Sequence, residues 1–231
     1  MSHAHEKRSA VIKGIVLDFD GVILDSNHLK ADTFRRVFND YPEHGDEIFQ
    51  LHMTRGGMGR DLKIRTIFSD ILNVPVTEDE IQRRSIEVGR LIYTGIMNSP
   101  FVPGALEFIN SYCERYELFI ASGTPQDEMR NIIQRRNLAS YFREVFGSPR
   151  NKGEILRDLM DQKQWDPCEL LFVGDAIDDF EGSETVGVGF IGLVLYGNAD
   201  PFKGKEMVAR VESLKDLDRR WRNLVKDGGL F

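Results

Sequence analysis

The feature that most constrains this chain is an apolar run that ends in two closely spaced carboxylates. In IVLDFDGVILDS, residues 15–26, the apolar residues predict a buried strand, and Asp18 and Asp20 follow where that strand gives way to a turn containing Gly21. In open α/β sheets, ligands bind beyond the carboxyl ends of the strands. Two carboxylates held close together repel each other unless a cation or a shared proton intervenes. The segment therefore predicts a metal site, a carboxylate nucleophile, or both.

Strand-like and helix-like segments alternate along most of the chain. The first strand is expected over residues 11–17, and the closing helix is expected to stop at Gly228 and Gly229. Strands joined by helices pair in parallel through right-handed crossovers. We therefore predict an α/β fold with a Rossmann-like, doubly wound parallel sheet. Apolar runs predict its further strands at residues 116–124, 143–148, 168–176 and 188–197.

One block of the sequence interrupts this alternation directly after the first strand. Between about residues 25 and 100, apolar residues recur with helical period and nothing is typical of a strand. We predict that this block is an inserted helical cap. The expected domains are a core of residues 1–25 and 101–231 and a cap of residues 26–100.

Composition excludes several classes of protein. With 231 residues, 41% hydrophobic and 29% charged, the chain has the balance of a soluble globular protein. Its net charge of −7 argues against a nucleic-acid partner, because such domains are usually basic. No apolar run is long enough to span a bilayer, so we expect no membrane partner and a cytoplasmic location. Cys113 and Cys168 show no metal or redox spacing.

Three further strand ends carry polar side chains that suit phosphate chemistry. Ser122 follows an apolar run, Lys152 precedes a predicted helix, and Asp175 leaves a strand four residues before Asp179. Carboxylates suit Mg²⁺, which prefers oxygen ligands and often binds substrate phosphate as well. Phosphoryl transfer needs this charge neutralisation, and a carboxylate can serve as its nucleophile.

These motifs, in this order, resemble the four signature motifs of the haloacid dehalogenase superfamily. They are DFDGVILDS, SGT after a strand, a lone lysine before a helix, and GDAIDD. The helical block resembles the cap of the phosphoglycolate phosphatase and β-phosphoglucomutase-like branch. The resemblance extends from about residue 11 to about residue 225.

The resemblance implies a role for each matching residue. Asp18 would attack phosphorus, and Asp20 would protonate the leaving group and then deprotonate the hydrolytic water. Ser122, the amide of Gly123 and Lys152 would hold the phosphoryl group. Mg²⁺ would be held by the Asp18 and Asp175 carboxylates and the Asp20 main-chain carbonyl, with Asp179 in support. An acid at the position of Asp20 points to phosphate esters rather than carbon–halogen bonds.

Alternatives remain at several of these positions. Thr124 competes with Ser122 as the phosphate-binding hydroxyl, and Asp178 competes with Asp179. Lys152 has competitors in Arg150 and Lys163.

The cap contains one segment with chemical character, MTRGGMGRDLK. Its Arg55 and Arg60 could bind an anionic substrate, or the segment could be a solvated loop before a helix. His28 and His52 lack partners at ligand spacing. No lysine of the cap stands out as a Schiff-base former, which argues against a phosphonate-cleaving enzyme.

The sequence thus predicts a Mg²⁺-dependent phosphatase acting on a small phosphorylated metabolite, a sugar or organic-acid phosphate. Its first alternative is a sugar phosphomutase of the same architecture, and the second is a catalytically silent binding module. The sequence does not distinguish a monomer from a homodimer.

Overall fold

A computed structural model describes residues 11–197 and 199–225. Its strands lie in the sheet order β3-β2-β1-β4-β5-β6, and every neighbouring pair is parallel. The predicted α/β fold with a doubly wound parallel sheet is confirmed. The six strands are β1 (Gly14–Leu17), β2 (Glu117–Pro125), β3 (Glu144–Ser148), β4 (Leu170–Gly174), β5 (Gly189–Leu193) and β6 (Ala209–Val211).

The α-helices fall into two groups, of which the first lies wholly between β1 and β2. That group is α1 (Asn27–Val37), α2 (Gly45–Thr54), α3 (Arg60–Thr66) and α4 (Glu78–Ile96). Among the described residues no helix combines the length and apolar character needed to cross a bilayer. The second group flanks the sheet and comprises α5 (Ala105–Tyr112), α6 (Gln126–Arg135), α7 (Lys152–Lys163), α8 (Ile177–Val186) and α9 (Leu214–Val225).

The sheet is buried on both faces, which explains why its strands are continuous apolar runs. Ile15, Val16 and Leu17 of β1 are completely buried. Successive side chains of a strand point to opposite faces. Accordingly, Ile15 and Leu17 belong to one apolar cluster and Val16 belongs to another. Burial on both faces is typical of parallel sheets covered by helices.

The helical segment from α1 to α4 leaves and rejoins the sheet domain at neighbouring points. Leu24 pairs with Phe101 in an antiparallel bridge. The amide of Asp25 donates to the carbonyl of Pro100 at 2.9 Å. We call this helical segment the insertion. The domain limits predicted above, which extend into residues outside the described ranges, stay a prediction.

Two strands of the sheet differ from the sequence prediction. The first strand begins at Gly14 rather than at residue 11, and Val11 is exposed. Strand β6 was not predicted from the sequence; it has three residues, of which the central one is exposed. The predicted stop of the closing helix at Gly228 and Gly229 lies outside the described residues.

The turn after β1 requires a glycine for two separate reasons. Gly21 has a φ of +77°, a conformation that L side chains rarely adopt. A Cβ at this position would also lie 2.0 Å from Oδ2 of Asp175 and 2.4 Å from Nδ2 of Asn27. The turn therefore lets the end of β1 approach the residue that follows β4.

We expect Gly21→Ala to destabilise the fold more than the matched change Gly187→Ala. Gly187 has nearly the same φ, +75°, but the nearest atom to its Cβ would be 3.9 Å away. Gly187→Ala should lower the free energy of unfolding by about 1–2 kcal/mol through backbone strain alone. Gly21→Ala should lower it by roughly a further 1–3 kcal/mol through steric overlap. Urea denaturation measures both, and equal losses would contradict the role of close approach.

Candidate active site

The carboxyl ends of β1, β2 and β4 bring the predicted site residues to one edge of the sheet. Leu17 is in register with Ile120 of β2 and with Val173 of β4. Asp18 follows immediately, and its amide donates to the carbonyl of Val173 at 2.9 Å. Because these strands end at the same level, side chains distant in sequence become neighbours.

Three aspartates predicted from the sequence form an acidic cluster at this edge. Asp18, Asp175 and Asp179 each offer a carboxylate oxygen, and these oxygens lie within 4.8 Å of one another. Asp18 and Asp179 are buried, and Asp175 is half-buried. We call these three residues the acidic cluster.

The electrostatics of the acidic cluster favour a bound cation. Burial, together with the charges of Asp179 and Asp20, raises the pKa of Asp18 to about 7, against the opposing effect of Lys152. Burial, Asp18 and Asp179 also hold the pKa of Asp175 well above its usual value. A divalent cation would remove this repulsion, and a set of carboxylate oxygens is the ligand chemistry that Mg²⁺ takes. The residues present therefore fit the metal that the sequence predicted.

Lys152 supplies the one positive charge within this group. Its Nζ lies 2.8 Å from Oδ1 of Asp18 and 2.9 Å from Oδ1 of Asp179. Burial alone would lower the pKa of Lys152, but Asp179 and Asp18 raise it above its usual value. The lysine is placed by the start of α7, where Asn151 and Glu154 form a reciprocal capping box.

The two competitors of Lys152 lie elsewhere. Arg150 contacts Asp158 at 3.2 Å and is partly exposed. Lys163 forms an ion pair with Glu117 at the start of β2. Neither is among the contacts of Asp18.

Asp20 is held apart from the acidic cluster. Its Oδ1 accepts a hydrogen bond from Ser26 Oγ at 2.6 Å, and its Oδ2 forms an ion pair with Lys30. Both partners lie in or just before α1. The carboxylate of Asp20 is therefore oriented by residues of α1 and the turn before it, and it is not one of the three clustered carboxylates.

The residues after the apolar part of β2 lie directly under the insertion. Ser122 is buried, and its Oγ accepts a hydrogen bond from the amide of Thr124 at 3.1 Å. Thr124 Oγ1 in turn accepts from Lys30 at 2.8 Å. A Cβ on Gly123 would lie 2.8 Å from the carbonyl oxygen of Gly57. The backbone of the insertion thus lies close to Gly123, where a side chain would not fit without a shift.

The arginines of the segment MTRGGMGRDLK are bound to carboxylates of the protein. Arg60 is buried, and its guanidinium donates to Glu128 of α6 at 2.7 Å. Arg55 pairs with Asp178 at 2.7 Å. Arg60 is therefore not in a solvated loop, although it borders the site. Because Asp178 is paired with Arg55, Asp179 rather than Asp178 joins Asp175 of the same GDAIDD motif in the acidic cluster.

Sequence reasoning missed four residues of the insertion that lie at the site. Asn27 donates to Oδ2 of Asp175 at 2.6 Å. Lys30 contacts Asp20, and Lys63 contacts Nδ1 of His52 at 2.8 Å. All three of Lys30, His52 and Lys63 are buried.

The sequence analysis gave no role to Lys30 or Lys63 and expected His52 to be an ordinary interface histidine, and their chemical roles stay untested. The sequence does indicate that these lysines face the core. Lys63 shares a helix face with Ile67, and Lys30 shares one with Phe34. A charged residue on an apolar face is either paired or directed at a ligand.

Comparison with known proteins is consistent with this geometry. A family model described as haloacid dehalogenase-like hydrolase matches residues 15–193. The chain is 28% identical over 219 residues to a phosphoglycolate phosphatase of Vibrio vulnificus, covering 89% of this chain and 94% of the relative. It is 25% identical over 183 residues to a phosphorylated carbohydrates phosphatase of Thermotoga maritima, covering 77% of this chain and 82% of the relative.

A solved structure shows the same fold over nearly the full length. The chain superposes on a β-phosphoglucomutase from Clostridium difficile with a TM-score of 0.73 and 15% identity, covering 94% of this chain and 98% of that protein. At this identity the likeness concerns the fold alone. The family model, however, covers well over half of the sequence and includes the strand ends that carry the acidic cluster. This chain belongs to the haloacid dehalogenase-like hydrolase family.

Proposed function

We propose that this protein is a Mg²⁺-dependent phosphatase that hydrolyses a small phosphorylated metabolite, a sugar or organic-acid phosphate, through an aspartyl-phosphate on Asp18. The observation that carries the proposal is the acidic cluster with Lys152 beside it. The curated relatives named above support the reaction class, because both are described as phosphatases.

The hydrogen bonds of Asp18 indicate which of its oxygens is the nucleophile. Oδ1 accepts from the amide of Phe19 at 2.7 Å and from Lys152 at 2.8 Å. Oδ2 is therefore the oxygen left to attack phosphorus. The attack forms the bond between Oδ2 and phosphorus and breaks the bond between phosphorus and the ester oxygen of the substrate.

Asp20 is proposed to carry the proton in both halves of the reaction. It donates a proton to the departing ester oxygen and then accepts one from a water molecule. The water oxygen bonds to phosphorus as the bond from phosphorus to Asp18 breaks, which releases inorganic phosphate. Ser26 and Lys30 fix the orientation of Asp20 during both transfers.

The remaining residues are proposed to bind the phosphoryl group and the metal. The Ser122 hydroxyl and the Gly123 amide donate to phosphoryl oxygens. Lys152 holds Asp18 in place, and Asp179 balances part of the charge of Lys152. When bound, Mg²⁺ would be held by Asp18, Asp175 and the main-chain carbonyl of Asp20, with Asp179 in support, and would neutralise phosphoryl charge. For Arg60, the contact with Glu128 favours holding the insertion against the sheet domain over the direct substrate contact first expected.

We expect Asp18→Asn to abolish phosphate release while the fold persists. The change removes the nucleophile, and loss of a nucleophile reduces kcat by roughly 10⁴-fold or more. The measurement is inorganic phosphate released from a panel of phosphate esters with Mg²⁺, with circular dichroism to follow folding. Asp161→Asn, an exposed carboxamide change on α7, serves as the matched control.

The same panel separates the alternatives. Conversion of a hexose 1-phosphate to its 6-phosphate without phosphate release would identify a mutase. No turnover of any ester with Mg²⁺ would identify a silent binding module. Substantial phosphate release by Asp18→Asn would reject the role given to Asp18.

We expect Mg²⁺ to stabilise the protein strongly at pH 8 and weakly at pH 5. The raised pKa values of Asp18, about 7, and of Asp175 mean that the folded protein keeps protons that the unfolded chain releases. Without metal, their contribution to stability is present at low pH and lost as the pH rises through about 7. Mg²⁺ binds the ionised carboxylates, so its effect grows over the same range.

The measurement is the Tm with and without Mg²⁺ at each pH. At a Mg²⁺ concentration 100 times Kd, stabilisation is about 2.7 kcal/mol, or roughly 5–10 °C for a chain of this size. Asp175→Ala should remove most of this shift. Asp178→Asn, which removes the neighbouring carboxylate that binds Arg55, should retain it. An equal Mg²⁺ effect at both pH values would contradict the metal assignment.

A further inference from the structure

A small cavity separates the catalytic carboxylates from the insertion. Its volume is about 20 Å³, and Asp18 and Asp20 form its floor on the sheet side. A cavity of roughly 10–15 Å³ holds one water-sized group, so only a compact group fits beside the carboxylates in this arrangement. On the insertion side it is bordered by four residues with nitrogen-bearing side chains, Lys30, His52, Arg60 and Lys63.

Two of these four side chains already have a carboxylate partner. Lys30 is paired with Asp20, and Arg60 is paired with Glu128. Lys63 differs, because its hydrogen-bond partners are Nδ1 of His52 at 2.8 Å and the carbonyl of Gly56 at 3.3 Å. Both partners are neutral groups, and an ammonium has three donors. In its ammonium form, Lys63 therefore has no carboxylate partner among the described residues and has one N–H donor left unused.

The imidazole of His52 presents a second donor to the same cavity. Burial, Lys63 and Lys30 all lower the pKa of His52, so the ring is neutral. When Lys63 donates to Nδ1, the ring proton lies on Nε2. Nε2 is buried and has no hydrogen-bond partner among the described residues. A buried donor of this kind requires an acceptor.

We propose that Lys63 and His52 bind a carboxylate on the substrate close to its phosphate group, because both residues border the same small cavity as Asp18. The proposal rests on the phosphatase function proposed above and specifies its substrate class as small phosphorylated carboxylic acids. A carboxylate supplies the counter-charge for Lys63 and the acceptor for Nε2 of His52. The two oxygens of one carboxylate can meet both needs at once.

The electrostatics of Lys63 agree with an anion at this place. Burial and the charge of Lys30 lower the pKa of Lys63 to about 7, although Asp178, Asp20 and Asp18 oppose the change. An added negative charge would restore the ammonium form. A phosphate ester whose organic part is uncharged, such as a sugar phosphate, would offer Lys63 no carboxylate as a counter-ion, and a buried unpaired charge costs free energy.

The test compares two esters of nearly equal size, 2-phosphoglycolate and its carboxamide, 2-phosphoglycolamide. Binding in the presence of Mg²⁺ is measured by calorimetry on Asp18→Asn, which does not require turnover. We expect the carboxylate ester to bind about tenfold more tightly or better, because hydrogen bonds to charged groups are the stronger ones. Adding Lys63→Met should abolish this preference. Adding Arg65→Met, which removes a half-exposed cation from the same helix, should preserve it.

The outcomes separate this inference from the proposed function. Equal binding of the two esters to Asp18→Asn would overturn the inference, as would equal loss of preference in the Lys63→Met and Arg65→Met variants. Phosphate release by the wild-type protein from both esters alike would then leave the phosphatase function standing. Preferential binding of the carboxylate, with no phosphate release from any ester of the panel, would instead refute the phosphatase function and retain the anion site.

If Lys63→Met fails to fold, His52→Phe, which keeps an aromatic ring and removes both ring nitrogens, should lose the preference, and unchanged preference there would overturn the inference.

Discussion

The mutual repulsion of three closely spaced carboxylates is the interaction on which the rest of this structure depends. Asp18, Asp175 and Asp179 lie within reach of one ion, and Lys152 balances only part of their charge. Burial, together with the repulsion that remains, raises the pKa values of Asp18 and Asp175. The sheet imposes this proximity because its parallel strands end together. The repulsion that lowers the stability of the metal-free protein is therefore the same feature that would favour binding of a metal ion and phosphate.

Much of this site could be predicted from the sequence because it follows from local rules. Apolar runs mark strands, and parallel strands deliver the residues that follow them to a common edge. Asp18 and Asp175 follow such runs directly, and the structure places both there. The preference for Asp179 over Asp178 agrees with the geometry, because Asp178 is bound to Arg55. The roles given to Ser122 and Gly123 stay predictions, although both lie at the expected strand end.

The residues that were missed depend on how helices pack, which periodicity does not specify. Lys30 and Lys63 belong to different helices, and their approach to one cavity depends on the angle at which the insertion meets the sheet. The same angle brings Arg60 to Glu128, a pairing between residues 68 positions apart. Strand β6 was not predicted for another reason. It has three residues, and its central residue is exposed, so the sequence shows too short an apolar pattern to indicate a strand.

The neighbouring chain crossings at Leu24 and Phe101 have an evolutionary consequence. A segment whose two ends lie side by side can be lengthened, shortened or replaced without rethreading the strands that flank it. The groups proposed to act on phosphorus follow the strands of the sheet, whereas Lys63 and His52 belong to the insertion. Selectivity for the organic part of a substrate can therefore diverge between descendants of one ancestor while the chemistry at phosphorus is inherited unchanged.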